Sequence, residues 1–141
     1  MVSNGKGAIA VISSVQGKIG VPFRSSYAAS KHAVQGYFDC LRAEVTSKGI
    51  TVTIISPGYV QTDLSLNAFN GDGSRYGKMD ATTQNGMNPD YLAEAVANAI
   101  ANGETDIIVA DAKTNAAILM KCMFPGFLAN IMEKRARSPG S

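Results

Sequence analysis

In the stretch "SYAASKH" (residues 26–32), Tyr27 and Lys31 stand four residues apart. On a helix such a pair lies one turn apart and shares a face. A phenol has an ordinary pKa of about 10 and is a poor acid or base at neutral pH. A neighbouring ammonium favours the phenolate, commonly lowering a titrating partner by about 1–3 units, which brings the phenol towards the working range of proton transfer. Upstream, a strand-like run ends in the pair Ser13-Ser14. A serine there can hydrogen-bond the same oxygen that the tyrosine protonates. The trio has the parts for reducing a carbonyl or oxidising an alcohol, and the hydride must come from a cofactor because no side chain supplies one. Alone, a Y-x-x-x-K pair is a common and partly exposed surface feature of helices. Here it belongs to an ordered set: Ser-Ser, twelve intervening residues, Y-x-x-S-K, and then a strand closing in P-G-x-V-x-T, all between Ser13 and Thr62.

The elements that would position these residues alternate. "GAIAVISS" (residues 7–14) is a short apolar run, rich in β-branched residues, consistent with a strand buried on both faces. A loop holding Gly17, Gly20 and Pro22 follows. From Tyr27 to Lys48 the apolar positions Ala29, Ala33, Val34, Tyr37, Leu41 and Val45 recur at helical spacing, and Gly49 supplies the stop. "ITVTIIS" (residues 50–56) is a second buried strand, ended by Pro57-Gly58. The polar stretch after it is mostly loop, with a short helix expected near Leu64–Phe69. Asn88 as N-cap and Pro89 at the first helical position announce a helix running to Gly103. "TDIIVAD" is a third strand, and the closing stretch from residue 113 is an apolar helix with a basic end, broken near Pro125-Gly126. Alternating strands and helices with buried-type strands give an α/β fold with a parallel, Rossmann-like sheet. Ligands of such sheets sit outside the carboxyl ends of the strands, where Ser13-Ser14 and Pro57-Gly58 fall.

Composition sets outer bounds. The chain has 141 residues, 45% hydrophobic and 17% charged, the profile of one globular domain of ordinary size. A formal charge of +2 is too small to argue for nucleic acid as a partner. Cys40 and Cys122 have neither C-x-x-C spacing nor the number for a disulfide framework, so no metal site is expected and free thiols fit a reducing compartment. No signal peptide and no membrane-spanning run is visible.

In "VISSVQG", "YAASKHAVQGYFDCLRAE" and "ISPGYVQT" the chain resembles the short-chain dehydrogenase/reductase family. The resemblance covers essentially the whole chain but only the C-terminal half of the family's domain, with three strands where the family has seven. It implies an NADP-dependent oxidoreductase, NAD not excluded. Tyr27 would be the catalytic acid/base and Ser14 would orient the substrate oxygen. Lys31 would lower the pKa of the tyrosine and hydrogen-bond the nicotinamide ribose. Pro57, Gly58, Val60 and Thr62, with Tyr27 and Lys31, would line the cofactor. Ser13 looks like the structural member of the serine pair. The tail and the "SSVQGKIGVPFRSSYAASKHAVQGYFD" block resemble a branch associated with endoplasmic reticulum or peroxisomal membrane, which implies lipid-like ketones as substrates and a role in lipid metabolism; otherwise a cytoplasmic location is expected.

The family's glycine-rich T-G-x-x-x-G-x-G turn, which approaches the cofactor pyrophosphate, has no counterpart before Gly7. "GDGSRYG" (residues 71–77) follows no strand and opens no clear helix, so it is a decoy. With that half absent, "GAIAVISS" is expected to present an open apolar edge, and the chain to be marginal alone and a poor NADP binder. Two function classes follow. One is a carbonyl reductase using Ser14, Tyr27 and Lys31. The other is a truncated, catalytically inactive fragment that acts only by pairing with a full-length relative. The long helix, with its Tyr37–Val45 face, offers a homodimer seam. His32 is expected in a surface or packing role and Cys40 as a small buried hydrophobe. Met79, Met87 and Tyr59 are open between substrate contact and plain packing. The tail "AAILMKCMFPGFLANIMEKRAR" either covers the sheet and the substrate entrance or rests as an interfacial helix on anionic lipid.

Overall fold

β-branched residues and a central position explain why one strand carries most of the core. In the computed structural model, which describes residues 1–63, 66–79 and 81–137, three parallel strands form one sheet in the order β1-β2-β3. They are β1 (Gly7–Ile12), β2 (Ile50–Pro57) and β3 (Asp106–Val109). Gly7 pairs with Ile50 and Ile12 with Ile55, while Ile54 pairs with Asp106 and Pro57 with Val109. Only β2 is buried on both faces, at every residue but Thr51. In β1, Gly7, Ile9 and Val11 are half-buried and Ala8, Ala10 and Ile12 exposed, so the expectation of two buried faces fails there. The cause is position: among the described residues β1 is an edge strand.

The helix α1 (Ser25–Val45) joins β1 to β2, and a 3-10 turn (Val15–Gly17) precedes it. A second 3-10 turn (Thr46–Lys48) leads to Gly49 at φ 72°. A Cβ there would also fall 2.1 Å from the Gly5 carbonyl oxygen, so both the conformation and the space require glycine. The expected apolar stripe of α1 holds towards its C-terminal end, where Leu41 and Val45 face the core, and fails towards its start. Ala28, Gln35 and Val45 are buried, while Ala29, Ala33 and Tyr37 are exposed. Its C-terminal half packs apolar: Val45, Ile50 and Val52 form a cluster joined by Ile9, Phe38 and Leu41. Arg42 ties the same end to the sheet by donating from Nε to the Val52 carbonyl at 3.0 Å and from a terminal nitrogen to the Thr105 carbonyl at 2.8 Å. Cys40 is exposed, contrary to expectation, because it projects from the outer side of α1.

After β2 the chain passes through a long loop containing one short helix, α2 (Ala81–Gln84). Of the helix expected near Leu64–Phe69, Leu64 and Ser65 lie outside the described residues, and Leu66–Phe69 is turn and an isolated bridge from Phe69 to Arg75. The glycine-bearing 71–77 stretch belongs to this turn: the Asn70 N–H donates to the Ser74 carbonyl at 2.8 Å. Hydrogen bonds from the Ser74 hydroxyl and N–H hold the Asp72 carboxyl below its ordinary pKa. The base of the loop is closed by a parallel bridge between Val60 and Met87.

The helix α3 (Pro89–Ala101) starts as its sequence dictates, with the Asn88 side chain accepting from the Asp90 N–H at 2.7 Å. In α4 (Ala112–Met123) the cap is Asp111, which accepts from the Thr114 N–H at 2.7 Å. The hydrogen bonds from Thr114 hold the Asp111 carboxyl below its ordinary value. The break in the tail falls at Phe124, with φ −138° and ψ 62°, and α5 (Pro125–Arg137) follows. Proline at the first position of α5 fits a helix start, where its missing N–H has no partner to lose. The tail helix expected over 113–141 is therefore two helices, and residues 138–141 lie outside the described residues.

Candidate active site

The carboxyl ends of β1 and β2 and the first turns of α1 meet at one end of the sheet. Lys31 bridges them. Its Nζ donates to the Ile12 carbonyl at 3.3 Å and stands 5.7 Å from the centroid of the Tyr27 ring. That distance is within the range of a cation–π contact. Tyr27 is 39% exposed, and among the described residues its hydroxyl makes no hydrogen bond. Helical spacing thus puts a solvent-accessible phenol and an ammonium on one face, as the sequence pattern requires.

Ser14 is buried and caps the 3-10 turn, its Oγ accepting from the Gln16 N–H at 3.1 Å. Accepting leaves its own O–H as a donor. Among the described residues no hydrogen bond links Ser14 to Tyr27 or Lys31. Ser13 is also buried; its Oγ donates to the Lys31 carbonyl at 3.4 Å and accepts from Gln35 Nε2 at 3.1 Å. Gly17 completes the approach of this turn to α1. A Cβ on it would lie 2.8 Å from the Lys31 carbonyl oxygen and 2.9 Å from Ser13 Oγ.

Pro57 ends β2 and is buried. The Gly58 N–H is spent on the Val109 carbonyl at 2.9 Å, so it closes the β2–β3 ladder. Val60 is held by its bridge to Met87. Thr62 is exposed, and its hydroxyl donates only at 3.5 Å to the Val60 carbonyl in its own loop. Pro57 and Gly58 therefore sit at the strand ends, Val60 at the base of the loop and Thr62 beyond it.

Gln35 is the residue that sequence reasoning missed. It is buried, and its Nε2 donates to Ser13 Oγ and to Ser56 Oγ at 2.8 Å, tying α1 to the ends of both strands. The available signal was a polar residue exactly one turn past Lys31, on the inward face. Gln16 is buried beside the serine pair, and among the described residues the Oε1 atoms of Gln16 and Gln35 have no hydrogen-bond partner. His32 is exposed; its Nδ1 lies 2.9 Å from the Ala28 carbonyl and its Nε2 3.3 Å from Lys121 Nζ, a pairing met by the tautomer protonated on Nδ1. Lys121 also donates to the Lys18 carbonyl at 2.7 Å, which brings α4 against the entrance to α1.

The ammonium at the strand ends and the accessible phenol on the same helix face are groups that a nicotinamide ribose would hydrogen-bond. The site does not include a glycine-rich strand-to-helix turn among the described residues, which a pyrophosphate would use. No cluster of three or more potential metal ligands occurs among the described residues.

Comparison with known proteins gives the family and the fold. The short chain dehydrogenase family model matches residues 1–72. Dehydrogenase/reductase SDR family member 7B of Danio rerio is 50% identical over 137 residues, covering 97% of this chain and 44% of its own length. The Drosophila melanogaster SDR family protein 7-like is 52% identical over 136 residues, covering 96% of this chain and 42% of its own. The chain thus spans less than half the length of the curated relatives it matches. A short chain dehydrogenase from Burkholderia cenocepacia, solved in complex with NADP, superposes with a TM-score of 0.69 at 20% identity, over 98% of this chain and 50% of that one. A short-chain dehydrogenase from Streptomyces avermitilis gives 0.66 at 23% identity, over 99% and 55%. At these identities the likeness is one of fold.

Proposed function

Because the chain belongs to the short chain dehydrogenase family, we propose that it carries the catalytic and nicotinamide-binding half of an NADP-dependent oxidoreductase that reduces a lipid-like ketone. When bound, the cofactor supplies the hydride, which no side chain provides. Tyr27 gives a proton to the ketone oxygen on reduction and takes it back on oxidation. Ser14 donates its O–H to the same oxygen, the Gln16 N–H having engaged its lone pair. Lys31 places positive charge beside the phenol and would hold the nicotinamide ribose when the cofactor is bound. Pro57, Gly58, Val60 and Thr62 shape the floor on the cofactor side. The choice of a nicotinamide dinucleotide draws support from the family and from the NADP complex of the Burkholderia neighbour; the lipid-like substrate rests on the resemblance alone.

The observation that carries this reading is the position of Lys31, joined to the end of β1 and to the face of Tyr27 at once. One experiment tests it: titration of the 141-residue chain with NADPH, followed by nicotinamide fluorescence. Weak binding, saturating only at high NADPH and removed by Lys31→Ala, with ketone-dependent NADPH oxidation lost in Tyr27→Phe, is the expected result.

A second reading is favoured by the open edge of β1, where Ile12 is 50% exposed, and by the outer groove of α1 lined by Gly36, Tyr37, Cys40, Leu41 and Glu44. In it this stretch is inactive alone and pairs with a second copy or a full-length relative. A folded chain that binds no NADPH supports this reading and overturns the first.

A further inference from the structure

Five large apolar side chains of the tail stand in water: Leu119 (64% exposed), Met123 (63%), Phe124 (64%), Phe127 (58%) and Ile131 (40%). They are not the face that holds the tail to the molecule. That face is formed by Leu128, which is buried, and by Ile118, Met120 and Met132, which are half-buried. Leu119 and Met123 lie one turn apart on α4, and Phe124 marks the corner. On α5, Phe127, Ile131, Lys134 and Arg135 follow at i, i+4, i+7 and i+8 and share one side of the helix. The apolar stripe therefore runs directly into positive charge. The last turn of α5 carries Lys134, Arg135 and Arg137, and Glu133 one turn back pairs with Arg137.

We propose that the outer face of α4 and α5 docks on an anionic lipid bilayer. Charge complementarity selects the occupant: aromatic and aliphatic side chains at a helical corner enter the headgroup and acyl boundary, and the basic turn beside them meets anionic headgroups. Long basic side chains reach headgroups while their stems lie on apolar surface. The contact is a resting one. Among the described residues no helix is long and apolar enough to cross a membrane, and α5, at 13 residues, spans about 20 Å. Lys121 holds α4 to the Lys18 carbonyl next to the start of α1, so docking brings the bilayer beside the entrance to the Tyr27 site. The proposal stands whether or not the chain turns over a substrate.

The test is flotation of the full 141-residue chain with vesicles of phosphatidylcholine alone and of phosphatidylcholine mixed with phosphatidylserine. The chain is expected to float with the mixed vesicles, and less so as salt is raised. The double variant Phe124→Asp/Phe127→Asp should lose binding by about tenfold or more. Lys134→Glu/Arg135→Glu should lose a comparable factor on the anionic vesicles alone, at about 1 kcal/mol per basic residue. Tyr91→Asp, an exposed position on α3, should float as the unsubstituted chain does. A folded chain, shown by circular dichroism, that stays at the bottom with both vesicle types overturns the proposal and leaves the face to a protein partner. Unchanged flotation of Phe124→Asp/Phe127→Asp overturns it as well.

Discussion

Two glycines close to the site should respond to alanine with opposite signs. At Gly17 a Cβ would stand 2.8 Å from the Lys31 carbonyl oxygen, 2.9 Å from Ser13 Oγ and 3.0 Å from Gln35 Cγ. One of these neighbours is backbone and the other two belong to a buried hydrogen-bonded group, so none retreats cheaply. Overpacking of this kind costs about 1–3 kcal/mol, offset by roughly 0.4–1 kcal/mol from the restricted unfolded chain. The net loss for Gly17→Ala is then about 1–2 kcal/mol, or a fall in Tm of about 3–8 °C for a chain of this size. At Gly36, inside α1, an added Cβ meets nothing within 4 Å, so Gly36→Ala should gain about 0.5–1 kcal/mol. Urea unfolding of the three chains, compared at equal slope, gives both numbers. Because the clash at Gly17 falls on Lys31 itself, the same substitution should weaken NADPH binding. If Gly17→Ala proves as stable as the unsubstituted chain, the close seating of the 3-10 turn on α1 is wrong, and with it the account of how Lys31 is placed.

Other expectations concern the cap of α4 and the thiols. Asp111→Ala removes the acceptor for the Thr114 N–H and should cost about 1 kcal/mol at neutral pH. The Asp111 carboxyl is held below its ordinary value of 3.8 by hydrogen bonds from Thr114. Its contribution is therefore complete above that value and is lost as pH falls through the lower folded-state value. The gap in urea midpoint between the two chains should narrow in acid, and a gap constant across that range would show that the cap does not depend on ionisation. Cys40 and Cys122 are both exposed free thiols, so both should react with a disulfide reagent in the native chain. Protection of Cys40 alone would place a second copy over the groove on the outer side of α1.

Much of this architecture was legible because local signals agreed with one another. β-branched runs marked all three strands, Asn88-Pro89 marked the start of α3, and Gly49 marked the end of the turn after α1. At the start of α1 the phase was not legible from its apolar residues. Counting them selects Ala29, Ala33 and Tyr37, which are exposed, and passes over Lys31 and Gln35, which face the sheet. Apolar periodicity finds the inward face only where the core is apolar, and at this end of α1 it is not. Cys40 is exposed because it lies off the inward face, on the outer side of α1. Burial of β1 was overestimated because a run of Ala, Ile and Val reads the same at an edge as in the middle of a sheet.

The two ends of α1 are held by different forces, and the difference bears on the proposed chemistry. Towards Val45 the contact is apolar, with Phe38 and Leu41 packed on Val45, Ile50 and Val52. Such contacts stabilise but are non-directional, and a small roll of the helix exchanges one apolar neighbour for another at little cost. Towards Tyr27 the contact is a directional network: Gln35 to Ser13 and Ser56, and Ser13 to the Lys31 carbonyl. A roll of one residue, about 100°, would break all three bonds and leave buried polar groups without partners, each at about 1–3 kcal/mol. The sequence thus accepts two buried amide oxygens, on Gln16 and Gln35, that have no partner among the described residues, in a place where leucine would pack more simply. What that arrangement secures is angular position: Lys31 stays turned towards the end of β1 and over the ring of Tyr27, as the proposed proton transfer requires.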